Sequence, residues 1–243
     1  MTKRSYLQDI ASVFGTNVFT LVSNLLLVIL LVRVLGPANY GLYTSVLVVP
    51  MLVVSFFQMG IRATTVHVIG SGKHSDNEIV SAVLTILMMT SVAGILFSGI
   101  AYLFVNTTGY SMLLMGMALA IIPLRLTAVY TGGVFLGKEE IPSANLMNWL
   151  AGALMLLFAL LFVLILRWGL NGAMLSMVLS NAVVAMVALA KLIARFKIRI
   201  SFSNPLIGKL LQTGVVYALS FLVIQLNYRL DVLLLKALST PVE

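Results

Sequence analysis

Cysteine is absent from these 243 residues, charged residues make up only 9%, and histidine occurs twice, at His67 and His74. Without cysteine there is no disulfide framework, no thiolate zinc site and no cysteine nucleophile. Two histidines leave little material for a metal centre. A soluble domain carries roughly 25% charged residues. At 61% hydrophobic and a mean hydropathy of +1.11, this chain cannot cover a water-facing surface, so its solvent must be mostly lipid. Lys3 and Arg4 precede an apolar run too long for a signal-peptide core and without a small-residue cleavage site, so no cleaved signal is expected.

What the chain has in quantity is long apolar runs. A spanning helix needs about 20 such residues, and runs of that length lie near 12–34, 42–69, 79–105, 111–136, 146–166, 170–190 and 212–237. The breaks carry turn chemistry: Gly36-Pro37, Gly70-Ser71-Gly72, Asn106 to Gly109, Gly137 to Asn145, and Trp168-Gly169. The connections after the third and fifth runs are short, which predicts antiparallel hairpins there.

Basic residues orient the spans. With a cytoplasmic N-terminus, that side holds Lys3, Arg4, Lys73, Lys138, Lys191, Arg195, Lys197, Arg199 and Lys209. The other side holds Arg33, Arg167 and Lys236, each at a span end. This split follows the positive-inside rule, so the net charge of +8 is a topological signal. Nucleic-acid binding is not expected, because it needs a clustered basic surface on a soluble domain. In 193–212, Arg195, Lys197 and Arg199 alternate with Phe196, Ile198 and Ile200, and Ser203-Asn204-Pro205 resembles a helix start. This segment reads as a polybasic turn at the headgroups, in contact with membrane lipids, followed by a helix feeding the seventh span.

Shifting the chain by 203 residues aligns the first span with the seventh. Val13 meets Val216, Asn17 meets Ser220, Asn24 meets Asn227 and Arg33 meets Lys236. Both spans run outward, so the repeat is parallel, about an axis along the membrane normal. The expected fold is an all-α integral membrane protein, a six-helix transmembrane bundle plus the first helix of a second, parallel-repeat bundle. Residues 1–190 form the lobe, 191–211 a cytoplasmic basic interfacial linker, and 212–243 the first helix of a truncated second lobe.

Charges inside the bilayer cost roughly 2.5–3.5 kcal/mol on insertion scales, so the intramembrane polar residues are the candidate site. Arg125 stands near the centre of the fourth span, two residues after Pro123. Arg62 lies in the second span, with Gln58 one helical turn earlier on the same face. Arg229 and Asp231 occupy the seventh span, and Asn17 and Asn24 form a polar stripe on the first. The functional reading is a water-filled cationic cavity that receives an anionic group. The structural one is snorkelling arginines and interhelical amide bonds.

Other patterns carry less. Gly132, Gly137 and Lys138 satisfy G-x-x-x-x-G-K, but Glu139 stands where a magnesium-binding Ser or Thr belongs, and no strand precedes them. Asn106-Thr107-Thr108 is a sequon in an outer loop. Glu139 and Glu140 read as a solvated pair. No intramembrane pair of acids is placed for general acid–base work, so an enzyme is not expected.

Leu35-Gly36-Pro37-Ala38-Asn39-Tyr40-Gly41-Leu42-Tyr43 resembles the L-G-P-x-x-Y-G-x-Y turn of polysaccharide biosynthesis flippases, which are lipid-linked oligosaccharide exporters of the multidrug/oligosaccharidyl-lipid/polysaccharide superfamily. Gly60-Ile61-Arg62 is similar to the start of that family's polar patch in the second helix. Arg229-Leu230-Asp231 and the leucines after it resemble its R-x-D-x-x-L-L stretch. The resemblance implies two six-helix lobes around a cationic cavity in the bacterial cytoplasmic (inner) membrane. It further implies an undecaprenyl-diphosphate-linked glycan as substrate, for O-antigen or capsule-like surface polysaccharide. Arg62, Arg125 and Arg229 would meet diphosphate or sugar acid groups, and Asn17, Asn24 and Gln58 would meet hydroxyls. Asp231 would couple transport to Na+ or H+; no other cofactor is expected. The missing second lobe or a polysaccharide polymerase would be the protein partner. A multidrug or organic-cation antiporter would prefer acids in the cavity, and a non-transporting scaffold subunit would need no arginine facing one.

Overall fold

A computed structural model describes residues 6–58, 60–105, 107–200, 202 and 205–218. Among these, all regular structure is helical: α1 (Tyr6–Phe57), α2 (Ile61–Gly70), α3 (Asp76–Ala101), α4 (Met112–Gly137), α5 (Ile141–Ala159) and α6 (Gly169–Ile193). A π-helical turn, Leu160–Ile165, extends α5, and residues 205–218 form a further helix, α7. Among the described residues, five stretches are long and apolar enough to cross a membrane: Ser12–Gly70, Asp76–Ala101, Met112–Gly137, Ile141–Ile165 and Gly169–Ile193. The chain is therefore a multi-pass membrane protein. Of the expected run 212–237, residues beyond 218 lie outside the described residues.

Two expected spans share the first stretch because α1 does not end at Gly36-Pro37. A straight helix of 59 residues would run roughly 90 Å, three times the hydrocarbon thickness. Gly36 divides it, with φ 75° and ψ 164°, a conformation that costs glycine little and other residues much. The arm before Gly36 runs parallel to α5: Asn145 donates to Ser12 at 3.2 Å, Phe19 meets Trp149 edge-on, and a Cβ on Gly152 would stand 3.6 Å from the Ser23 Cβ. The arm after it runs antiparallel to α3, pairing Val46 with Tyr102 and Val53 with Gly94. The same arm runs parallel to α4, pairing Met51 with Arg125 and Phe57 with Tyr130.

Local chemistry sets the remaining ends. Ser75 and Glu78 form a capping box at the start of α3, and Ser111 caps α4 by accepting the Leu114 N–H at 3.2 Å. At the end of α4, Glu139 takes φ 57° so that the Glu140 N–H reaches the Phe135 carbonyl at 2.8 Å. The core forms two clusters strung along α4. One holds Ile61, Val80, Leu126, Tyr130 and Phe135; the other holds Leu31, Val46, Ile121 and Met174. Between α2 and α4, Gly133 and Gly137 bring the backbones together: a Cβ at Gly133 would lie 3.1 Å from the Arg62 Cα, and one at Gly137 2.9 Å from the Ile69 Cδ1. Small residues four apart have this use in membranes.

The scattered basic residues converge on one end. Lys138 pairs with Asp76 at 2.7 Å, Arg195 with Glu140, and Lys191 donates to Ser143 at 3.3 Å. Lys138, the last residue of the apparent phosphate-loop pattern, is thus spent on a carboxylate at a helix end.

Candidate functional site

Arg125 lies midway along the 26-residue α4, roughly 18 Å of helix from either end. The Arg125 side chain is exposed at the surface of the described residues, although much of its length is packed against neighbouring side chains. Its Nη1 is 3.5 Å from the Met51 sulfur, a weak acceptor. Beside it Tyr43 is buried, its hydroxyl donating to the Met177 sulfur at 3.4 Å. Both ion pairs found among the described residues lie at the basic end, so Arg125 has no carboxylate partner there.

Arg62 is exposed on α2, where its backbone packs on Gly133 of α4, eight residues beyond Arg125. The two arginines therefore stand on neighbouring helices, two turns or about 12 Å apart along α4. Gln58 is half-buried, and it does not continue the helix of Arg62. The chain leaves helical geometry between Phe57 and Ile61, with Gly60 at φ 65°. The one-turn relation expected for Gln58 and Arg62 is thus interrupted.

Asn17 and Asn24 are exposed on the first arm of α1. They sit one residue beyond Thr16 and Ser23, which are buried. Among the described residues, no hydrogen bond joins either asparagine to Arg125 or Arg62. An amide turned to lipid would leave strong hydrogen-bonding groups unmet, so this side of the arm suits water or a polar partner. Arg229 and Asp231 lie outside the described residues.

Three features escaped the sequence reading. Tyr130 donates to the Phe57 carbonyl at 2.7 Å and lies 3.2 Å from Thr90. That carbonyl has lost its helical partner, because the Ile61 N–H bonds to Gln58 instead. Tyr102 donates to the Val46 carbonyl at 2.7 Å, the group that Pro50, four residues on, leaves unpaired. The third is where α7, a helix the sequence did predict, makes its contact: it crosses at the break, so that a Cβ on Gly60 would lie 2.5 Å from the Gly214 carbonyl and 2.7 Å from the Tyr217 Cβ. A mid-span tyrosine and the glycine before Ile61 were the available signals.

Among the described residues, an all-helical bundle with an arginine midway along α4 and no carboxylate beside it defines the class, a multi-pass membrane protein. The chain belongs to the family of polysaccharide biosynthesis proteins, which it matches over residues 6–243. No curated protein matches it in sequence. In fold it is similar to a solved crystal structure of a MATE mutant, with a TM-score of 0.60 at 17% identity. The match covers 88% of this chain and 53% of that one, so the chain spans about half the length of that structure.

Proposed function

We propose that the chain is one lobe of a flippase. It would carry an undecaprenyl-diphosphate-linked oligosaccharide across the bacterial cytoplasmic membrane for surface polysaccharide synthesis. The reversal at Gly36 makes two crossings of the first stretch and six in the lobe, and the residues from 212 open a second, parallel-repeat bundle. The clustered basic end faces the cytoplasm by the positive-inside rule, with the N-terminus on that side.

The observation that carries this reading is Arg125: an arginine at mid-membrane depth, exposed at the surface, with no carboxylate partner among the described residues. A charge held there at such cost suits a ligand of opposite charge. A diphosphate fits, because guanidinium binds phosphate oxygens in pairs. Arg62, two turns closer to the basic end, would take the headgroup next along the path, with Arg229 opposing from the second lobe. Gln58, Asn17 and Asn24 would meet sugar hydroxyls. Rocking of the two lobes would expose the site to each side in turn, with Asp231 coupling the cycle to Na+ or H+. An organic-cation exporter is less well supported, since the acids between Ser12 and Ala218 (Asp76, Glu78, Glu139 and Glu140) all sit at helix ends.

Proteoliposomes holding the native protein test the proposal through translocation of a fluorescent lipid-linked oligosaccharide. Arg125→Ala is expected to slow the flip roughly ten-fold or more, the scale of a lost charge-assisted pair, with Arg125→Lys in between. An unchanged rate in Arg125→Ala would refute the role given to this residue.

A further inference from the structure

At the basic end, away from Arg125, a cavity of about 550 Å3 opens between the start of α3, the segment 197–199 and the start of α7. Its size is that of a small-molecule site. The segment 196–199 alternates like a strand against α3. Phe196 and Ile198 pack on the core, while Lys197 and Arg199 line the cavity. Two backbone bonds hold this register: the Lys197 N–H donates to Asn77 Oδ1 and the Arg199 N–H to Ser81 Oγ, each at 3.0 Å. From the facing side Lys209 of α7 reaches in, its Nζ 3.4 Å from His74 Nε2. Leu206, Ile207 and Leu210 bury the same helix in the core and so fix where Lys209 stands.

The charge count is lopsided. Lys197, Arg199 and Lys209 meet a single carboxylate in the lining, Glu78, and Glu78 is engaged in the capping box with Ser75. None of the three cations forms an ion pair among the described residues, whereas Lys138 and Arg195 nearby each have one. Three cations from two segments, positioned by the Asn77 and Ser81 bonds and by the buried face of α7 around an open volume, suit an anion with several oxygens.

We propose that this cavity is a phosphate-binding site, taking the phosphate of an anionic phospholipid headgroup or a free phosphate from solution. Arg199 would supply a paired donor, Lys197 and Lys209 point charges, and Asn77 and Ser81 the fixed backbone register. The proposal does not depend on the flippase reading. Its occupant would tie α3, the basic segment and α7 together by charge.

The test titrates the purified chain in detergent with phosphatidylglycerol, with phosphatidylcholine as the neutral control, and separately with inorganic phosphate. Native mass spectrometry reads the lipid arm and phosphorus NMR line broadening the phosphate arm. Lys197→Ala, Arg199→Ala and Lys209→Ala, singly and together, leave the backbone bonds to Asn77 and Ser81 in place. Lys73→Ala removes an equal charge from an exposed position outside the lining. For a lipid occupant, phosphatidylglycerol binding weakens roughly five-fold per cavity cation removed, and Lys73→Ala leaves it unchanged. For a soluble occupant, the same variants lose inorganic phosphate while lipid binding stays constant. Equal losses from Lys73→Ala, or no loss of either probe from the cavity variants, would overturn the proposal. Should the triple variant fail to fold, Lys209→Gln alone decides by the same comparison.

Discussion

The hydroxyl of Tyr130 donates a 2.7 Å hydrogen bond to the carbonyl of Phe57, the acceptor left over where α1 ends and the chain re-enters helix at Ile61. A broken helix in a membrane has no water to satisfy its freed groups, so a neighbouring helix must do it. Tyr130→Phe removes that donor and keeps the ring. It is expected to cost about 1–3 kcal/mol, the penalty of a buried unmet carbonyl, read as a lower thermal midpoint of the purified protein.

Tyr102 does the same for Val46 above Pro50, and here the cause can be removed as well as the remedy. Tyr102→Phe alone should destabilise by a similar amount. In the Pro50→Ala background a restored N–H can take the Val46 carbonyl, and the same change should then cost much less. Equal costs in both backgrounds would break the link between the proline and the tyrosine. A double-mutant cycle on thermal stability measures it.

Gly60 is where α7 meets the broken second helix. An added methyl would stand 2.5 Å from the Gly214 carbonyl, and the left-handed backbone resists any side chain. Gly60→Ala should push α7 away. Cysteines replacing His67 and Tyr217, whose rings are 6.5 Å apart, should cross-link readily through a short bismaleimide in the parent and poorly in the Gly60→Ala variant.

Glu139 holds φ 57° in the turn between α4 and α5, with its side chain exposed. Glycine fits that conformation without strain, so Glu139→Gly is expected to stabilise by about 1 kcal/mol. A thermal midpoint at or below that of the parent would show that the glutamate side chain has a role that offsets its strain.

The long apolar runs, the Gly36-Pro37 division and the exceptional charge at Arg125 were legible in the sequence, because each follows from composition and local turn chemistry. The chain's gathering of Lys138, Lys191, Arg195 and Lys197 at one end also followed from charge asymmetry. The spacing reads as continuous helix across the break before Ile61, although Gly60 marks the place. Gln58 and Arg62 keep helical spacing, and the bond that makes the break tolerable comes from Tyr130, 73 residues away from Phe57. The cavity at the basic end was hidden for the same reason. Periodicity marks Lys197 and Arg199 as alternating with apolar neighbours, but only tertiary packing brings Lys209 and His74 opposite them.

The central claim is that Arg125 faces a wet, substrate-bearing cavity. The chain has no cysteine of its own, so Arg125→Cys gives a single reporter. In membrane vesicles, a water-soluble maleimide is expected to label that position, and added lipid-linked oligosaccharide is expected to protect it. Absence of labelling, or labelling indifferent to the glycolipid, would contradict the account.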